Sequence, residues 1–104
     1  SEVIMQLEKN RRGRELRVVL SGELDHHNAA IIREEVDREL DGSVKLLTLD
    51  MSGITFMDSS GIGVVLGRYR RMSESGGKLR MGGMSIYAEK ILRMAGVLAL
   101  LERK

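Results

Sequence analysis

A chain of 104 residues with 42% hydrophobic content is the size of one domain, spanning residues 1–104, with a core of moderate volume. Its 17 Lys and Arg against 15 Asp and Glu leave a formal charge of +2, too small an excess for a nucleic-acid footprint, and Phe56, Tyr69 and Tyr87, its only aromatic residues, are not interleaved with basic ones. With no Cys there is no disulfide framework, thiolate metal site or cysteine nucleophile, and no apolar run approaches the roughly 20 residues that span a bilayer, so a reducing, cytoplasmic setting without membrane contact is expected.

Val3 to Leu7 reads as a strand and Glu15 to Leu20 as a second, joined by the polar turn Asn10-Arg11-Arg12-Gly13 into an antiparallel hairpin. Leu16, Val18 and Leu20 share one face of the second strand and Glu15, Arg17 and Val19 the other, which predicts a sheet covered mainly on one side. Gly22 is expected to break that strand. Asp25 or Asn28 then caps a helix to about Leu40, whose apolar stripe is Ala29, Ile32, Val36 and Leu40 and whose end is marked by Asp41-Gly42. Val44 to Leu49 is nearly continuously apolar, as in a central parallel strand buried on both faces.

The stretch Thr55 to Gly63 reads as a loop that leads into a second helix, with Phe56 and Met57 as apolar anchors of its approach and Asp58, Ser59 and Ser60 as helix-start residues. Ile62, Val65, Leu66, Tyr69 and Met72 form the stripe expected to dock on the sheet. Ser60, Gly63, Val64, Gly67 and Arg71 fall on roughly the opposite face. Glycines inside a helix cost about 1 kcal/mol each relative to Ala, so either something approaches that face closely or the glycines pack against a neighbouring loop. Gly76-Gly77 ends the helix, Lys78 to Met81 alternates as a strand, Ser85 caps a third helix to about Ala95, and Val97 to Leu101 reads as a last strand. Crossovers stepping in one direction put the helices on one side of the sheet.

Loops leaving the C-terminal ends of adjacent parallel strands gather on one edge, so Asp25 should lie near Asp58 and Ser59. A helix N-terminus there can accept a side-chain oxygen, an anion, or a phosphoryl group on Ser59 itself, and a simple N-cap accounts for the same residues. A Ser hydroxyl beside carboxylates, with no His or Lys at hydrogen-bonding spacing, is a poor hydrolytic nucleophile, and no pair of titratable groups is placed for acid/base work; no enzymatic activity and no cofactor are expected. His26 and His27, adjacent and without further ligands, do not make a metal site.

The run Phe56-Met57-Asp58-Ser59-Ser60-Gly61-Ile62-Gly63-Val64, together with Ser21-Gly22-Glu23-Leu24-Asp25-His26-His27, resembles the anti-sigma factor antagonists of the STAS family, closest to their sporulation type, over nearly the whole chain. The resemblance implies a single-domain layered α/β fold: an N-terminal hairpin strand, a mainly parallel sheet, and helices largely on one face. It implies that Ser59 is a phosphoacceptor, that an anti-sigma factor serine kinase is both the partner and the modifying enzyme, and that a phosphatase reverses the modification. Asp25, Asp58, Ser60, Gly61, Gly63, Val64, Gly67 and Arg71 would then meet the partner, while Arg68, Arg70 and Arg71 either complement an acidic partner surface or form a solvated helix face. Relatives usually carry one more C-terminal helix, whereas the chain stops at Glu102-Arg103-Lys104 just past the expected last strand, so the face that helix would cover is expected to be open to self-association.

Two rivals compete with that reading. Asp50 would end its strand much as the phosphoacceptor of a signalling receiver domain does, but the acidic pair and the Lys that such a domain needs are missing at the corresponding strand ends. The other keeps the fold and changes the role to a STAS scaffold module in a stress-signalling, transporter or lipid-handling assembly, without a phosphoswitch.

Overall fold

The computed structural model of this protein describes residues 5–101. Two antiparallel strands, β1 (Met5–Arg12) and β2 (Glu15–Leu24), open the chain, followed by α1 (His26–Asp37), β3 (Leu46–Met57), α2 (Ser59–Glu74), β4 (Lys78–Met84), α3 (Ile86–Met94) and α4 (Val97–Leu101). The sheet order is β1-β2-β3-β4, with β2, β3 and β4 parallel. The expected Val3 and Ile4 of the first strand lie outside the described residues. The hairpin turn is tighter than the sequence suggests: both strands run up to Gly13 and Arg14, where Gly13 takes a φ of 60° that a side chain would disfavour.

Leu16, Val18 and Leu20 of β2 and Leu47, Leu49 and Met51 of β3 are fully buried on one face of the sheet, against Ala29, Ile32 and Val36 of α1, Val64, Val65 and Met72 of α2, and Ala88 and Leu92 of α3. Among the described residues, the opposite face has no helix. There Thr48 is nevertheless fully buried, because charged side chains lie over it: its hydroxyl donates to Glu15 Oε2 at 3.2 Å, and Arg80 Nη2 reaches the same Glu15 oxygen and the Thr48 hydroxyl at 3.4 Å. The strand expected to be buried on both faces is thus roofed on one of them by ion pairs and not by a second layer of helices.

Three expectations are corrected. Gly22 does not break β2; it sits inside the strand at φ 99°, where the pairing with β3 shifts register. β3 does not stop at Leu49 but runs on through Met57, so the expected loop from Thr55 to Gly63 is strand up to Met57 and helix from Ser59, with Asp58 alone between them. Val97 to Leu101 is a helix and not a strand: its Leu-Ala-Leu-Leu run is made of helix formers, and a short apolar run cannot be told apart by periodicity alone. α4 packs on α2 and α3, with Val97 and Leu98 buried. No helix among the described residues is long and apolar enough to cross a membrane.

Candidate functional site

The last rung between β2 and β3 pairs Leu24 with Met57, and both chains turn into helices one residue later. Asp25 and Asp58 therefore stand side by side on neighbouring strands, about 5 Å apart at the backbone. Each has extended backbone angles and caps the helix it precedes. Asp25 Oδ1 accepts from the Asn28 amide at 2.9 Å, Asp58 Oδ1 accepts from the Ser60 amide at 2.8 Å, and the Asp58 amide itself donates to the Leu24 carbonyl at 3.3 Å. The two residues are neighbours at the backbone, as expected, and each side chain caps its own helix.

Ser59 is the first residue of α2 and is exposed; Ser60 is half-buried behind it. The cap leaves the Ser59 side chain outside its own hydrogen bonding, since it joins Asp58 to the Ser60 amide, while the Gly61 amide donates to the Asp58 carbonyl at 3.0 Å. The positive end of the α2 dipole is thus partly occupied by an anion already.

Beneath this turn lies Met57, 5% exposed. A Cβ placed on Gly61 would fall 2.5 Å from Met57 Cε, 2.7 Å from Cγ and 2.9 Å from Sδ, so the side chain of Met57 occupies the volume that a larger residue at 61 would need. Gly61 lets the first turn of α2 settle onto the core. Phe56 does not anchor the approach as expected: it lies on the other side of the strand and is 47% exposed beside the switch edge.

The faces of α2 differ from the sequence expectation in an informative way. Its buried positions are Gly61, Val64, Val65, Arg68 and Met72, so Val64, assigned to the outer face, is fully buried and cannot form part of a surface. Ile62, Leu66 and Tyr69 are only partly buried against the core. The outer side runs from the exposed Ser59 and Gly63 past the half-buried Gly67 to the exposed Arg70 and Arg71. At Gly63 and at Gly67 an added Cβ would meet nothing within 4 Å, which removes internal close packing as the reason for these glycines.

Arg68 and Arg71 are turned toward α1. Arg68, 6% exposed, places Nε 2.9 Å from Asp37 Oδ1 and donates from Nη2 to Asp37 Oδ2 at 3.2 Å; burial pushes its pKa down and the Asp37 carboxylate opposes that. Arg71 donates to the Leu40 carbonyl at 3.2 Å, at the far end of α2 from Ser59. Of the three arginines only Arg70 is left facing outward without such a contact among the described residues. His26 and His27 are exposed in the first turn of α1, and no cluster of three or more His, Cys, Asp or Glu that could hold a metal occurs among the described residues. Asp50 is not at a strand end, where a receiver-type acceptor belongs, but in mid-β3 on the open face.

Residues 6–103 match the family model described as STAS domain. The chain belongs to the STAS domain family. It is 34% identical over 94 residues to an anti-sigma F factor antagonist of Paenibacillus polymyxa, covering 89% of this chain and 80% of the relative. Among solved structures it is similar to the anti-sigma factor antagonist SpoIIAA in its unphosphorylated form, at 32% identity and a TM-score of 0.76 over 89% of this chain and 81% of that one. The Bacillus cell fate determinant SpoIIAA in the phosphorylated form matches at 31% identity and a TM-score of 0.71, over 91% and 86%. The four-stranded mixed sheet with its helices on one face is the STAS fold, as the sequence resemblance implies.

Proposed function

We propose that this protein is an anti-sigma factor antagonist: it binds an anti-sigma factor in the cytoplasm, frees the sigma factor held there, and is switched off by phosphorylation of Ser59. The observation that carries the reading is the exposed Ser59 at the head of α2, one residue beyond paired Asp caps, followed by a helix face whose Gly63 and Gly67 leave the backbone bare. Relatives at 34% and 32% identity that are named as anti-sigma factor antagonists, one of them also solved in a phosphorylated form at 31%, support it.

Asp25, Asp58, Ser60, Gly63 and Gly67 form the contact surface in this reading, while Gly61 and Val64 act from beneath it by holding the turn on the core. Arg71 contributes at the far end of the same helix. The antagonist brings no catalytic base. A serine kinase supplies the base and Mg·ATP: the Ser59 hydroxyl attacks the γ-phosphorus, its proton passes to the kinase base, and ADP leaves. A phosphatase reverses the change by hydrolysis.

The added group carries about −1.5 to −2 charges at neutral pH. The amides that would normally soften that charge at a helix start are engaged by Asp58, and two carboxylates stand within reach, so the charge is poorly compensated once a partner removes water. Release is local, without refolding. Intact-mass analysis after incubation with the anti-sigma kinase and Mg·ATP tests this: one phosphoryl group is expected on the wild type and on Ser60→Ala, and none on Ser59→Ala. Binding without phosphate transfer would overturn the switch and leave a scaffold role.

A further inference from the structure

The buried apolar positions of β3 are Leu47, Leu49, Met51, Ile54 and Met57, so the regular spacing of two becomes a spacing of three, twice, before the strand reaches the switch edge. Each change marks an extra residue in β3. Val19 pairs with Asp50 but Ser21 with Gly53, and Gly22 pairs with Ile54 but Glu23 with Phe56. β4 has its own shift at the same level, from Leu49↔Met81 to Asp50↔Gly83, with Gly82 as the extra residue. Bulges between parallel strands are rare, and each reverses the face of the side chains that follow it, so the first brings Ile54 inward and the second, offsetting it, returns Met57 to the face of Leu47, Leu49 and Met51.

The first bulge is tied by a side-chain network on the open face. Asp50 Oδ1 accepts from the Ser52 amide at 2.9 Å and from the Ser52 hydroxyl at 2.6 Å, and Asp50 Oδ2 accepts from Arg17 Nη2 at 2.6 Å. The glycines around it are required by space. A Cβ at Gly82 would lie 2.9 Å from Thr48 Cγ2 and 3.1 Å from Arg17 Nη1, and one at Gly53 would lie 2.8 Å from Ser21 Cβ. The Ser52 hydrogen bonds, chiefly, and the Arg17 charge hold the Asp50 carboxyl below its usual range, so it stays ionised in this network at neutral pH.

We propose that Asp50 is the positioning residue of the switch edge: by clamping the first bulge through Ser52 and Arg17 it preserves the shift that the second bulge offsets, so that β3 arrives with Met57 inward under Gly61 and Asp58 next to the end of β2. Its effect on phosphorylation rests on the phosphoswitch reading, whereas its effect on the geometry of the edge does not. Asp50 itself is mid-strand and acts only through the chain between it and Asp58.

Amide hydrogen exchange separates the two claims. In Asp50→Ala, and in Asp50→Asn or Ser52→Ala should the first not fold, exchange of the Asp58 and Ser60 amides should rise about tenfold while the Leu47 and Leu49 amides below the bulge keep their protection. The value of kcat/KM for Ser59 phosphorylation should fall with it through kcat, because the kinase meets a misplaced hydroxyl. Equal loosening of all the strand amides, or a change confined to Ser52 and Arg17, would overturn the proposal. Selective loosening of Asp58 and Ser60 in a protein whose wild type takes no phosphate would uphold the positioning role and reject the phosphoswitch.

Discussion

The two sides of α2 use glycine for opposite purposes. Gly61, on the buried side, is where the helix meets Met57 and no side chain fits; Gly63 and Gly67, on the exposed side, have open space around them and no steric need within the chain. A residue type that looks uniform in sequence thus divides into one position that the fold requires and two that it tolerates at a cost. Costs tolerated without internal return are commonly found at surfaces that do something.

Substitution to alanine turns this contrast into measurable differences of opposite sign. Gly61→Ala should show the largest loss, about 2–3 kcal/mol in chemical denaturation, since Met57 must leave its place and the core beneath it must readjust. Arg68→Ala on the same side should cost about 2 kcal/mol, because it strips a buried guanidinium from Asp37 and leaves a partly exposed carboxylate without its partner. Removing the cap in Asp58→Ala should cost about 1 kcal/mol, with Asp58→Asn retaining most of it. On the outer side Gly63→Ala and Gly67→Ala should each stabilise the protein by up to ~1 kcal/mol through better helix propensity, while weakening the partner complex. Stabilisation with unchanged binding would remove the functional reason for these glycines.

The same helix shows why part of the site was legible in the sequence and part was not. Asp25 and Asp58 were readable as caps because each precedes a periodic run, and their closeness follows from parallel-strand topology. The buried face of α2 was misread because two of its five members are a glycine without hydropathy and an arginine paired with Asp37; the positions 61, 64, 65, 68 and 72 are a regular helical stripe only once these are admitted. Hydropathy spacing alone therefore places Val64 on the wrong side. β3 was cut short at Leu49 because its bulges destroy the alternation on which strand recognition depends, although the apolar spacing Leu49, Met51, Ile54, Met57 carries their trace. Val97 to Leu101 reads as a strand and folds as α4 because five apolar residues fit either element.

Binding measured by calorimetry compares the two states of the edge most directly: the purified anti-sigma partner is titrated with the unmodified protein and with the protein phosphorylated at Ser59, at low and at high salt, alongside the melting temperature of each form. The account predicts that phosphorylation weakens binding by at least ~100-fold at low salt, that the gap narrows as salt rises, and that the melting temperature barely moves. Equal affinity of the two forms, or a loss of affinity that comes with a large fall in melting temperature, would contradict it.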